Sequence, residues 1–353
     1  MYLILAILIF GVLIAVHELG HFMAAKACGV RVNEFAIGMG PAIWKKQRGE
    51  TLYALRVLPI GGYCAMEGED EDSGDPRSFQ SQSRIKRFII LVAGAAMNFL
   101  FGFILILLVF SRADGFSAPV ITSFMDGCPY EGTGGLMAGD EFYRINGERI
   151  YFASDVSTYF ARNGGSDLMD IVLIRNGEKI ELNDYKMDLI PYEEDGETVM
   201  KYGFYFGVEE SGLAAHIKYS WYCAMDFVRL VRIGLTDLVT GAVHMSDMAG
   251  VVGIVDMMNT VGETAPTVSK GLQNIAYLSA FIAVNLAVMN LLPIPALDGG
   301  RVLFLFLTWL IESVTRRRLN PKYEGYVHAV GLALLMVLMV YVMFNDIVRI
   351  VGG

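Results

Sequence analysis

His17-Glu18-Leu19-Gly20-His21 lies inside a run written otherwise in Ile, Leu, Phe, Val and Ala. Positions four apart on a helix share a face, so His17 and His21 can turn one imidazole nitrogen each to a single metal, with Glu18 beside it. Two histidines and a carboxylate are costly in such surroundings unless they have partners, and a metal satisfies all three at once. The H-E-x-x-H pattern is that of a zinc site. On this stretch alone the plainer reading, hydrogen-bonded core histidines in a chance pentapeptide, stays open.

The rest of the chain sets the surroundings of that helix. Its 353 residues are 54% hydrophobic with a mean hydropathy of +0.46, beyond what a soluble domain usually tolerates. Four stretches reach the roughly twenty apolar residues that a bilayer core requires: residues 3–25, 88–110, 275–297 and 327–344. Met1-Tyr2 supplies no basic leader, so the first stretch reads as a retained helix and not a cleaved signal.

Basic residues predict the orientation. Lys26, Arg31, Lys45, Lys46, Arg48, Arg56, Arg77, Arg84, Lys86 and Arg87 follow the first span, and Arg316, Arg317, Arg318 and Lys322 precede the last. Both loops are expected in the cytoplasm, which puts the long segment between the second and third spans outside. That segment carries the acidity. Between Arg112 and Glu210 stand 8 Lys and Arg against 19 Asp and Glu, a local balance of −11 within a net charge of −9, and nucleic acid is excluded as a partner. Cys28, Cys64, Cys128 and Cys223 form no C-x-x-C pair and read as free thiols.

After the first helix, residues 30–37 and 51–58 read as strands with a turn at Gly38-Met39-Gly40-Pro41, a small sheet or hairpin dipping toward the metal or a plain surface hairpin. Gly94, Asn98 and Gly102 recur every four residues in the second span. The glycines read as a helix-packing seam, whereas an amide such as Asn98 in a bilayer needs a partner. Residues 135–148, GLMAGDEFYRINGE, resemble the PDZ pattern A-G-L-x-x-G-D-x-I-x-x-I-N-G, and residues 171–182 read as a hairpin about Asn176-Gly177. A β-rich domain without a peptide groove is the alternative. Residues 212–243 mix apolar residues with His216, Lys218, Asp226, Arg229, Arg232 and Asp237, as in an amphipathic helix at a membrane surface. His216 and His244 have no partner at metal spacing.

The third span holds a second polar cluster: Asn285, then residues 290–300, NLLPIPALDGG. Pro293 and Pro295 must break the helix, and the freed backbone is tolerated only where it lines protein or a cavity. Asp298, just past the break, can complete a His-His-Asp set with a position left for water, or can simply cap the next helix.

Together, H-E-x-x-H in the first span, N-x-x-P-x-P-x-L-D-G-G in the third, the Pro59-Ile60-Gly61-Gly62-Tyr63 stretch and the PDZ-like insert resemble the bacterial site-2 proteases of the RseP and RasP group, over nearly the whole chain. The resemblance implies an intramembrane zinc metalloprotease in the bacterial plasma membrane. It implies His17, His21 and Asp298 as Zn2+ ligands, Glu18 as general base, and Asn98, Asn285, Asn290, Gly61 and Gly62 as substrate-binding positions. The partners it implies are single-span membrane proteins, such as anti-sigma factors or signal-peptide remnants, the lipid bilayer, and an upstream protease. Residues 250–254, GVVGI, match the family's G-P-x-G-I run only loosely and receive no role, and one PDZ-like domain in place of two is a departure. A cation transporter and a non-catalytic PDZ scaffold are the rival classes, the first opposed by Glu18, a general base that transport does not need.

The expected fold is therefore an α-helical polytopic membrane protein with about four transmembrane helices, a small membrane-associated β-hairpin or sheet and one external PDZ-like α/β domain. Its expected divisions are residues 1–111, 112–210, 211–270 and 271–353.

Overall fold

The computed structural model describes all residues except 70–72, 133, 163–167, 195, 244–248, 317–321 and 353, and except the side chains of 59, 60, 322–324, 351 and 352. His244, Arg317 and Arg318 thus lie outside the described residues. In order, the elements are α1 (Tyr2–Cys28), β1 (Val32–Arg48), β2 (Thr51–Met66), α2 (Arg84–Phe110), β3 (Gly115–Phe124), β4 (Glu141–Ile145), β5 (Glu148–Arg149), α3 (Ala153–Arg162), β6 (Leu168–Arg175), β7 (Glu178–Lys186), β8 (Ile190–Glu194), β9 (Glu197–Lys201), β10 (Phe204–Glu210), α4 (Leu213–Thr240), α5 (Val251–Glu263), α6 (Val268–Asn290), α7 (Asp298–Thr315) and α8 (Lys322–Gly352). They form two compact units, one of Met1–Val109 with Phe227–Gly353 and one of Phe110–Asp226.

In the first unit, four helices are long and apolar enough to cross a membrane among the described residues: α1, α2, α6 and residues Gly325–Ile350 of α8. Many of their large side chains, such as Ile4, Leu8, Leu108, Leu334 and Val337, are exposed, as expected of surfaces whose solvent is lipid. The third span ends at Asn290, earlier than the expected 297. Leu291 through Leu297 form a loop instead, because neither Pro293 nor Pro295 can donate to an α-helical ladder.

Small residues let these helices meet. A Cβ on Gly20 of α1 would fall on the Ala93 carbonyl of α2, and one on Gly102 of α2 would lie 2.9 Å from Val284 Cγ2 and 3.0 Å from the Ala280 carbonyl of α6. Helix α5 packs Ile254, Val255 and Met258 against Tyr2, Ala6 and Leu13 of α1. Its first turn is closed from a distance: the buried Asp346 carboxylate of α8 accepts from Gly250 N at 3.2 Å and Gly253 N at 2.8 Å, a carboxylate on the positive end of a helix. Residues 250–254, left without a role by their sequence, thereby dock the last helix.

The hairpin is longer than expected, and its reversal lies elsewhere. β1 runs straight through Gly38–Pro41, and the chain turns back at Gly49-Glu50. Gly38 and Gly40 have φ of 86° and 83°, so they bend the strand as bulges and do not reverse it. β1 and β2 pair antiparallel with shifts of register, so that residues 34–37 face both 52–55 and 62–65 of β2. The root is buried through Val32, Phe35, Ala36 and Cys64, whereas Met39, Ile43, Trp44, Leu55, Val57 and Leu58 are exposed.

The second unit is built on a sheet in the order β10-β3-β4-β6-β7, with β5 paired to β4 and a separate β8–β9 hairpin. Its core is Ile121, Leu136, Phe142, Ile145, Ile171 and Leu173 with Val156 and Phe160 of α3. The expected hairpin is present: Arg175 pairs with Glu178 across Asn176 (φ 52°) and Gly177 (φ 84°), the positive-φ pair that suits a two-residue loop. The Gly139-Asp140 pair of the PDZ-like motif forms a knot. Asp140 is wholly buried, accepts from Met137 N, and receives Arg175 through Nε at 2.7 Å and its terminal nitrogen at 2.8 Å, so the buried charge is fully partnered. His216 of α4 has Nε2 3.5 Å from the Ala113 carbonyl and its ring beside Phe116.

Candidate metal and catalytic site

Helical spacing sets the first two donors. On α1, His17 Nε2 and His21 Nε2 stand 3.1 Å apart. From the start of α7, Asp298 Oδ2 reaches His17 Nε2 at 3.1 Å and His21 Nε2 at 3.3 Å. These three residues are the one group of potential metal ligands of this kind among the described residues. Asp298 does not cap α7: it is the first helical residue, and Leu297 before it makes no side-chain capping bond.

The donor set fits a cation. His21 Nδ1 donates to the Ile90 carbonyl at 2.8 Å, which leaves a lone pair on Nε2. The buried Asp298 Oδ2 has no hydrogen-bond partner although both Nε2 atoms lie close, because an acceptor facing acceptors forms no such bond. Donors about 2.0–2.1 Å from a tetrahedral zinc are about 3.3 Å from one another, which is the spacing here. Asn290 Nδ2 lies 3.4 Å from His17 Nδ1. Amide nitrogen and oxygen exchange places by a simple flip, so Asn290 can accept from Nδ1–H and free the His17 Nε2 as well.

Other residues frame this cluster. A Cβ on Gly62 of β2 would lie 3.6 Å from Glu18 Cγ and 2.9 Å from the Ala36 carbonyl, so the hairpin passes directly over Glu18. Gly61 (φ 87°) instead faces Met39. Asn98, one turn beyond Gly94 on α2, is buried with its Oδ1 unpartnered. Asn285 is half-buried on α6. Of the five expected substrate positions, then, Asn290 and Gly62 adjoin the histidines and Glu18. Cys64 is no rival donor: burial, with Glu18 and Glu69 nearby, pushes its thiol up to about 12.

Gly94 has more than a packing role. A Cβ there would fall on His21 Nε2, 2.7 Å from His17 Cε1 and 2.8 Å from His21 Cε1, so its bare backbone is the floor on which both rings rest. Gly299 and Gly300 serve the other wall, since a Cβ on either would strike the backbone of the loop, at Leu291 and Leu292 or at Ile294. An apolar groove of about 580 Å³ lies between α1 and the hairpin, lined by Leu8, Val12 and Leu19 of α1 and by Ile37, Ile43 and Val57 of the hairpin.

Residues 5–338 match the profile described as Peptidase family M50. A protein of Clostridium acetobutylicum provisionally named a zinc metalloprotease is 35% identical over 98% of this chain and 97% of its own length. The regulator of sigma-W protease RasP of Bacillus subtilis is 28% identical over 98% and 97%. The zinc metalloprotease RasP of Bacillus licheniformis is 30% identical over 98% of each.

Proposed function

The chain belongs to peptidase family M50, the site-2 proteases, and is a zinc metalloprotease; from that premise we propose that it cuts single-span membrane proteins in or near their membrane segment, with His17, His21 and Asp298 holding the zinc. The observation that supports this reading is the convergence of two donors from α1, a helix long and apolar enough to span a bilayer, with a third from the start of α7, and with Glu18 adjoining. Zinc bound there supplies a Lewis acid that brings the pKa of a water to about 7 and polarises a peptide carbonyl. Glu18, next to His17 and under Gly62, takes the proton of the attacking water and returns it to the leaving amine. Asn290 holds the His17 ring by its Nδ1.

A substrate helix hides its carbonyls in its own hydrogen bonds and must unwind to be cut. The apolar groove between α1 and the hairpin suits the side chains of such a segment, and the hairpin's backbone can pair with the unwound strand. Asn98, with its buried unpartnered carbonyl oxygen, and Asn285 would take freed backbone groups farther along. A transporter would need neither Glu18 nor this groove. In this reading the site opens toward the cytoplasm of a bacterial plasma membrane, as the basic loops indicate. Residues 112–210 form an external PDZ-like domain, residues 211–270 lie along the membrane surface, and an upstream protease trims the substrate first.

Asp298→Ala tests the ligand set. Two histidines fall short of the usual protein ligand count, so zinc in the purified variant should drop below a tenth of the wild-type content, with activity falling in parallel. Full zinc content by metal analysis would return Asp298 to a helix-starting role.

The external domain is best read as a filter on bulk. Deletion of residues 116–208 should let a substrate with a large external domain be cut while a pre-trimmed one continues to be cut. Slowed cleavage of the trimmed substrate would point to peptide capture instead, and unchanged rates for both would remove either role.

A further inference from the structure

The loop that delivers Asp298 contains a conformation an alanine rarely adopts. Ala296 has φ 76°, in the left-handed region where a Cβ is crowded, so something outside the residue must hold it there. Its N–H donates to His328 Nδ1 of α8 at 2.9 Å. Three residues on, along the same face of α8, Gly331 meets the preceding residue: a Cβ there would fall on Pro295 Cβ and lie 3.0 Å from its carbonyl carbon and oxygen. Phe304 of α7 places its ring 5.3 Å from the His328 ring. Two contacts from one helix face therefore grip the dipeptide immediately ahead of Leu297-Asp298.

We infer that His328 is a positioning residue for Asp298, fixing through Ala296 the turn that aims the carboxylate at His17 and His21; the inference rests on the reading of those three residues as zinc ligands. Accepting at Nδ1 requires the imidazole to be neutral with its proton on Nε2. His328 is also the one histidine in a span that otherwise reads as apolar from Val327 to Phe344, and an ionisable residue in such a place is a functional one by default. Its effect on the site is indirect, since its ring bonds to the backbone and not to a donor of the cluster.

The test is zinc retention against a chelator by the detergent-purified full chain, with wild type and Asp298→Ala as the two reference points. His328→Ala and His328→Leu should hold zinc at least about tenfold more weakly, the scale of a lost supporting contact at a metal site. His328→Asn, whose amide oxygen can occupy the place of Nδ1, should come back to within about threefold of wild type. Cleavage by the Leu variant at saturating zinc should fall in kcat more than in KM. Retention within threefold of wild type by the Leu variant, or equal weakening by Leu and Asn, overturns the assignment. If the Ala protein does not fold, the Leu and Asn pair decides; failure of both to fold would make His328 a folding residue and overturn it too. A wild type without zinc, or an Asp298→Ala protein that keeps it, would instead remove the ligand reading on which the inference stands.

Discussion

Glu18→Gln is expected to keep its zinc and lose cleavage of a single-span substrate by about a hundredfold or more. The amide is nearly the same shape as the carboxylate, so the hairpin can still pass over it at Gly62, and the three proposed donors on His17, His21 and Asp298 are untouched. What the amide lacks is a place for a proton. Metal content and single-turnover cleavage on the same preparation separate the two functions. Turnover within tenfold of wild type would take Glu18 out of the mechanism, and loss of zinc would make it part of the ligand shell.

Gly94→Ala should be as damaging without changing any polar group. The added methyl would occupy the space of the His21 Nε2 atom and press on His17 Cε1. Neither ring can swing away cheaply, because His21 is tied to the Ile90 carbonyl one turn earlier on α2 itself. Nor can α2 retreat, since Gly20 of α1 sits against Ala93 and Gly102 against α6. Zinc below a tenth of the wild-type content is expected, with activity lost in step. Gly102→Ala supplies the contrast: its Cβ would crowd Val284 and Ala280, costing about 1–3 kcal/mol of stability by overpacking while leaving zinc in place. Equal zinc in the two variants would show that α2 yields at Gly94.

These two residues mark how far the sequence could be read. Glu18 was legible because a metal motif on a helix has a fixed period, and Asp298 because two prolines announce a helix break that only a lined cavity tolerates. Gly94 was visible as a small residue in a helix, but glycine at a four-residue spacing looks the same whether it faces a leucine or an imidazole. The hairpin's turn was misplaced for a related reason. Gly38 and Gly40 advertise positive φ, and a strand bulge uses it as readily as a reversal does. His328 stands out as an ionisable residue in an apolar span, but its role is not legible there, since its partner is a backbone N–H 32 positions earlier exposed by an unusual φ at an ordinary alanine. The PDZ-like motif is read from residues 135–148 as a run, and nothing in that run shows that its Asp140 is held by Arg175, a contact 35 positions away.

The buried Asp346 that receives the amides of Gly250 and Gly253 sits near the far end of the chain, as do Asp298 and His328. Synthesis runs the other way. The first helix delivers two histidines and the proposed base to the membrane while the third donor is still unmade, and α5 waits longer still for the carboxylate that closes its first turn. With the proposed ligand set, the emerging chain would hold two of the three donors until α7 is made, so zinc binding and cleavage would both wait on the synthesis of Asp298.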